Sequence, residues 1–214
     1  MIGLFLNWWP FCYWKEGELV FRAWVNPDNP ESGVRILGVL QRIALCYLFA
    51  SIITYYLKPK AAMLTASLLL TGYWAICYYG NPGDPYSLQG WIGTEAVDMK
   101  ILGKAHMYKG EGVPFDPEGL LSTLSAVSQV VFGYLAGYYI RKKGKTPEML
   151  NGLFIGGIAL LVVGFAWDMA FPINKKIWTS SFTVYTTGLA LLTIGTIIYL
   201  IEFRNWKERT LAVL

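Results

Sequence analysis

The chain has 214 residues, is 55% hydrophobic and only 15% charged, and carries a formal net charge of +4, with a mean hydropathy of +0.41. Soluble domains average about 25% charged residues, and a soluble fold with 9 Trp, 14 Tyr and 11 Phe would leave large apolar patches in water. An ordinary soluble domain is therefore excluded. The basic residues sit in short clusters beside apolar runs, so the charge does not point to nucleic acid.

Taken in order, Met1 to Tyr13 is apolar but too short to cross a bilayer, and it reads as a partial N-terminal helix. It lacks the basic leader and small-residue cleavage site of a signal peptide. Trp8, Trp9, Tyr13 and Trp14 form an interfacial aromatic belt. Residues 15–35 form a polar loop with Pro27, Pro30 and Gly33. Five uncharged or nearly uncharged runs then approach the roughly 20 residues of a spanning helix: 36–57, 61–79, 118–140, 150–171 and 177–201. Leu211-Ala212-Val213-Leu214 begins another apolar segment. The expected fold class is all-α, a polytopic transmembrane helical bundle of about five spans plus the partial first helix, forming one domain over 1–214.

The loop 80–117 is long for a compact bundle, and such loops tend to be functional or disordered. Its glycines and aromatics, Trp91 among them, predict an ordered loop lying over the helix ends. The basic loops 58–60, 141–145 and 204–209 fall on one side after alternate spans. The positive-inside rule makes that side cytoplasmic and the loops 15–35, 80–117 and 172–176 external. The exception, Lys175-Lys176 in a short outer loop, marks a candidate anion-binding pair. Gly133/Gly137 and Gly152/Gly156 are spaced for close helix approach.

Cys12, Cys46 and Cys77 form no C-x-x-C pair and read as small membrane residues. With a single histidine, no metal site is expected. The stretch Gly112 to Thr123 joins the outer loop to the third span. Asp116 is expected to cap that helix, with Pro117 at the first helical position and Glu118 in the first turn. The same two carboxylates sit where a membrane helix meets water, which suits a site as well.

Arg42 is the costliest residue in the spans. Arg35, seven residues earlier, lies on nearly the same helix face, and Gln41 is adjacent. Either the arginines pair with a buried carboxylate, Asp168 being one candidate for Arg42, or they clamp an anion through their planar guanidinium groups. His106 is either a hydrogen-bonding loop residue or a proton shuttle. Asn174, Lys175 and Lys176 follow Asp168 on the same side. Topology gathers these groups at the outer mouth of the bundle.

Three stretches carry a resemblance to a known family: Arg35-Ile36-Leu37-Gly38-Val39-Leu40-Gln41-Arg42-Ile43-Ala44; Phe115-Asp116-Pro117-Glu118-Gly119-Leu120-Leu121-Ser122-Thr123 with His106-Met107-Tyr108 upstream; and Phe171-Pro172-Ile173-Asn174-Lys175-Lys176-Ile177-Trp178-Thr179-Ser180-Ser181. In this order, they resemble the heparan-α-glucosaminide N-acetyltransferase-like membrane acyltransferases, including bacterial members. The resemblance implies acetyl transfer from acetyl-CoA to an extracytoplasmic amino sugar or glycan, with a bacterial inner membrane as location. It implies Arg42, Gln41 and Arg35 as candidates for the acyl-CoA, Lys175, Lys176 and Asn174 for substrate, and Asp116, Glu118, Asp168 and His106 for catalysis. The family's own histidine-containing N-terminal segment has no counterpart here, so the chain corresponds to the middle of the family's fold, apparently without its N-terminal and C-terminal parts. The expected partners are the bilayer, acyl-CoA, a glycan acceptor, and a second copy or a partner that carries the missing segment. A permease-like module for an anionic small molecule and a non-catalytic membrane subunit are the alternative readings.

Overall fold

The computed structural model describes residues 2–88 and 90–204. Met1, Lys207, Arg209 and the segment Leu211 to Leu214 lie outside the described residues. A short helix α1 (Ile2–Trp8) leads into strands β1 (Cys12–Lys15), β2 (Glu18–Phe21), β3 (Val25–Asn26) and β4 (Asn29–Gly33). The long helices are α2 (Val39–Tyr56), α3 (Pro59–Gly80), α5 (Thr123–Lys143), α6 (Pro147–Asp168) and α7 (Ser180–Ile198), with a one-turn α4 (Met99–Ile101) inside the long loop. This is a helical membrane protein.

Among the described residues four helices are long and apolar enough to cross a membrane: α2, α3, α6, and α7 with its continuation to Phe203. The expected third span, α5, is of different character. It packs against α2, α3, α6 and α7, and its Thr123, Ser125 and Ser128 are buried. The packed first half of the helix need not be apolar on every face, whereas Val130, Tyr134 and Tyr138 further along are exposed. The Ser125 and Thr183 hydroxyls hydrogen-bond between α5 and α7 at 2.8 Å, and Ser128 donates to the Ala66 carbonyl of α3 at 3.1 Å.

Local chemistry sets the helix ends. Pro59 and Pro147 occupy first-turn positions, where a missing N–H costs nothing. Thr146 caps α6 by accepting from the Met149 N–H at 3.2 Å, so this helix begins before the expected residue 150. Close approach of α6 and α7 depends on Gly157 and Gly188, since a Cβ on Gly188 would sit 2.8 Å from the Gly157 carbonyl oxygen. The expected pair Gly133 and Gly137 has open space instead.

Residues 12–33 are not the irregular polar loop expected. They form two antiparallel hairpins, β1 with β2 and β3 with β4, so Cys12 lies in a strand. Glu16 and Gly17 turn the first hairpin with φ of 52° and 87°, the left-handed pair a tight two-residue hairpin requires. The long loop is ordered through its aromatics. Trp91 and Phe115 are fully buried against Tyr73, Cys77, Phe171 and Ile177, sealing the ends of α3, α6 and α7.

Candidate functional site

At this sealed end the chain gathers the N-termini of α2, α5 and α7. The stretch 115–123 is gripped from three sides. Arg35, just before α2, donates from Nε to Asp116 Oδ2 at 3.1 Å and from Nη2 to Asp116 Oδ1 at 2.6 Å. Its Nη2 also bridges to Glu118, and its guanidinium lies 4.7 Å from the Tyr108 ring centre. Arg42 of α2 donates to the Pro117 carbonyl at 2.7 Å, and to the Ser122 carbonyl and hydroxyl at 2.9 Å each. Asp98, from the loop before α4, accepts the Leu120 N–H at 3.0 Å.

This grip explains why Asp116 does not start α5. Its carboxylate does accept the Glu118 N–H at 3.1 Å, as an N-cap would. One turn forms, closed by the Gly119 N–H on the Asp116 carbonyl at 2.9 Å. The helix does not continue, because Arg42 occupies the Pro117 carbonyl and Asp98 the Leu120 N–H, groups a helix would use itself. Regular α5 begins only at Thr123.

Asp98 escaped the sequence reading. It is fully buried, and its Oδ2 has no hydrogen-bond partner among the described residues. Burial pushes its carboxyl up to about 7, against the pull of the Leu120 N–H, with Asp116 adding to the rise. Burial also drives the Asp116 carboxyl upward, and the Arg35 bonds oppose it. Gly119 lets the turn approach Asp98, since a Cβ there would collide with the Asp98 carboxylate. One acidic residue in a mixed loop carries no spacing signal.

The other expected residues divide. Gln41 donates to the Ile36 carbonyl at 2.8 Å. His106 is buried in the loop–hairpin contact: Nδ1 lies 2.7 Å from the Val34 carbonyl and the ring lies 4.8 Å from that of Trp24. Asp168 does not pair with Arg42; it accepts the Ile173 N–H at 2.5 Å and closes the turn after α6. Asn174 and Thr179 lock the next turn, with the Asn174 N–H on Thr179 Oγ1 at 3.0 Å and the Thr179 N–H on the Asn174 carbonyl at 3.1 Å. Lys176 pairs with Glu111. Lys175, exposed, joins Arg42, Glu118, Gln129 and Trp178 around a cavity of about 580 Å³ between α2 and α5. Trp178 lies under the Arg42 guanidinium at 4.4 Å and donates from Nε1 to Gln129 Oε1 at 3.1 Å. Among the described residues no group of three or more metal-ligating side chains comes together.

No family model matches the sequence. Two curated proteins align across most of it. Heparan-alpha-glucosaminide N-acetyltransferase of Mus musculus is 25% identical over 78% of this chain, and that of Homo sapiens is 26% identical over 73%. The chain is distantly related to these acetyltransferases. It spans about a third of their length, 35% and 31% respectively. The relationship suggests a membrane acyltransferase family, and the four apolar helices make the chain an integral membrane protein.

Proposed function

We propose that this chain forms the external mouth of a membrane acyltransferase that moves an acetyl or other acyl group from acyl-CoA to the amine of an extracytoplasmic sugar or glycan. One observation carries the reading: Glu118 is the carboxylate that lines the Arg42–Lys175 cavity, while Asp116 and Asp98 are fully buried behind it. The distant relationship to two N-acetyltransferases supports the reaction class.

In this proposal the acceptor nitrogen attacks the thioester carbonyl and the C–S bond breaks. Glu118 takes the proton that the nitrogen loses and passes it to the departing thiolate, giving free CoA. Arg35 holds Glu118 in place, and a carboxylate so held suits proton transfer over a short path. Asp116, Asp98 and Asp168 act through position. His106 fixes the loop to the hairpin. The basic ends of the helices face the cytoplasm, the side that supplies acyl-CoA, and the membrane is a bacterial inner membrane.

The test uses the native polypeptide purified from its own membranes, with its intact mass set against the 24.1 kDa of this chain. Reconstituted in liposomes with acetyl-CoA and glucosamine, it should release free CoA thiol only when the amine is present. Glu118→Gln should slow that release by about 100-fold, in the range of a lost general base. Anion flux across the liposome without thiol release would overturn the enzyme reading in favour of a permease.

A further inference from the structure

Arg42 poses an electrostatic problem that its own contacts leave unsolved. It is only 7% exposed and lies at the start of a membrane-crossing helix. Among the described residues its three hydrogen bonds go to neutral acceptors, the Pro117 and Ser122 carbonyls and the Ser122 hydroxyl. Its Nε, also buried, finds no acceptor among the described residues. The carboxylate that shares its cavity, Glu118, is bridged to Arg35, which also holds Asp116, so the charges of the cluster balance while neither carboxylate bonds Arg42 directly. A buried guanidinium whose nearest carboxylates are held by another arginine keeps an unmet demand for a direct anionic partner.

A second cation stands at the same cavity. Lys175 makes no ion pair among the described residues, whereas its neighbour Lys176 is neutralised by Glu111. Beyond these cations the wall turns apolar, through Val39, Ile43, Cys46, Tyr47 and Val130. Ile43 and Tyr47 are exposed on the outer face of α2, so the groove opens sideways, where acyl chains lie. Its volume of about 580 Å³ falls within the roughly 300–1,000 Å³ of small-ligand sites.

We propose that this groove seats an anionic membrane lipid, its phosphate against Arg42 and Lys175 and its first chain carbons along Ile43, Tyr47 and Val130. The charge pattern favours a lipid over a free anion, because a free phosphate would leave the apolar half of the groove without a partner. Arginine suits the phosphate, since its planar fork matches two phosphate oxygens, and Trp178 holds that fork from beneath. The lipid site needs no acyl transfer, but it lies in the cavity that Glu118 also lines, so lipid and acceptor amine would compete for that space.

The test is native mass spectrometry of the purified full chain, titrated with phosphatidylglycerol and with phosphatidylcholine of the same chain length. Phosphatidylglycerol should be retained at least about fivefold better, the effect of one cation on one anionic head group. Lys175→Glu should abolish that preference. Lys176→Glu, a charge reversal one residue away, should leave it intact. Val130→Trp fills the apolar half of the groove and should lower retention of both lipids. Equal retention of the two lipids overturns the proposal, as does a preference that survives Lys175→Glu. Displacement of phosphatidylglycerol by millimolar inorganic phosphate or by acetyl-CoA also overturns it, since the groove would then hold a soluble anion. Thiol release from acetyl-CoA, measured separately, reports only on the enzyme reading.

Discussion

Arg35 grips the fully buried Asp116 across 81 residues of chain, with Nε on Oδ2 at 3.1 Å and Nη2 on Oδ1 at 2.6 Å. This two-bond contact ties the segment before α2 to the segment before α5. Removing one partner leaves the other's charge stranded, which costs about 3–5 kcal/mol for a buried pair. Arg35→Gln should therefore lower the thermal unfolding temperature in detergent markedly. Arg35→Gln with Asp116→Asn should recover part of the loss, because the stranded charge is gone. Strict additivity in that double-mutant cycle would show that the two groups are not coupled.

The raised carboxyl of Asp98 makes stability depend on pH. Its value is about 7 in the folded protein, against an ordinary 3.8, so between these values the folded state holds a proton that the unfolded state has lost. Stability from this group is full below about 4 and declines as pH rises towards 7. Unfolding temperatures measured from pH 5 to pH 8 should fall, and Asp98→Asn should flatten the slope. The asparagine keeps an oxygen for the Leu120 N–H. An unchanged slope in that variant would place the titrating group elsewhere.

Gly119→Ala should destabilise the site by about 1–3 kcal/mol, the usual cost of overpacking. The added methyl meets the Asp98 carboxylate, and the Asp116 carbonyl oxygen stands 3.0 Å away. Combining it with Asp98→Ala should regain part of the loss by vacating the space. If the double variant is no better than the single one, the collision with Asp98 is not the cause.

Tyr73 is fully buried in α3 and donates its hydroxyl to the Ile177 carbonyl at 2.5 Å. Tyr73→Phe leaves that carbonyl without the bond, a loss of about 1–3 kcal/mol. Hydrogen exchange should show the turn 172–179 opening more readily while the remainder of α3 stays protected. Uniform protection across both would argue against the bond as the anchor of this turn.

The helical membrane class was readable from the chain, and the long helices lie near the apolar runs, although α5 is not among the four that could cross a membrane. Apolar runs, terminal prolines and buried aromatics are local signals, and the bilayer imposes a length that composition reveals. Arg42 was also visible as a costly residue, because any charge within a span demands an explanation. Its partners were not. Asp168 is a reasonable candidate by topology, yet it closes its own turn through the Ile173 N–H, while Arg42 bonds neutral groups of the Pro117–Ser122 turn. Sequence can place two groups at one membrane face, but only packing decides which atoms meet. For the same reason Asp116 looked like a helix cap. Its local chemistry is that of a cap, and the Glu118 N–H donates to its carboxylate. Contacts from Arg42 and Asp98, distant in sequence, take the next backbone groups and delay the helix to Thr123. Asp98 itself carried no local signal, because its raised carboxyl comes from burial beneath Gly119 and Leu120, a property of the folded chain alone.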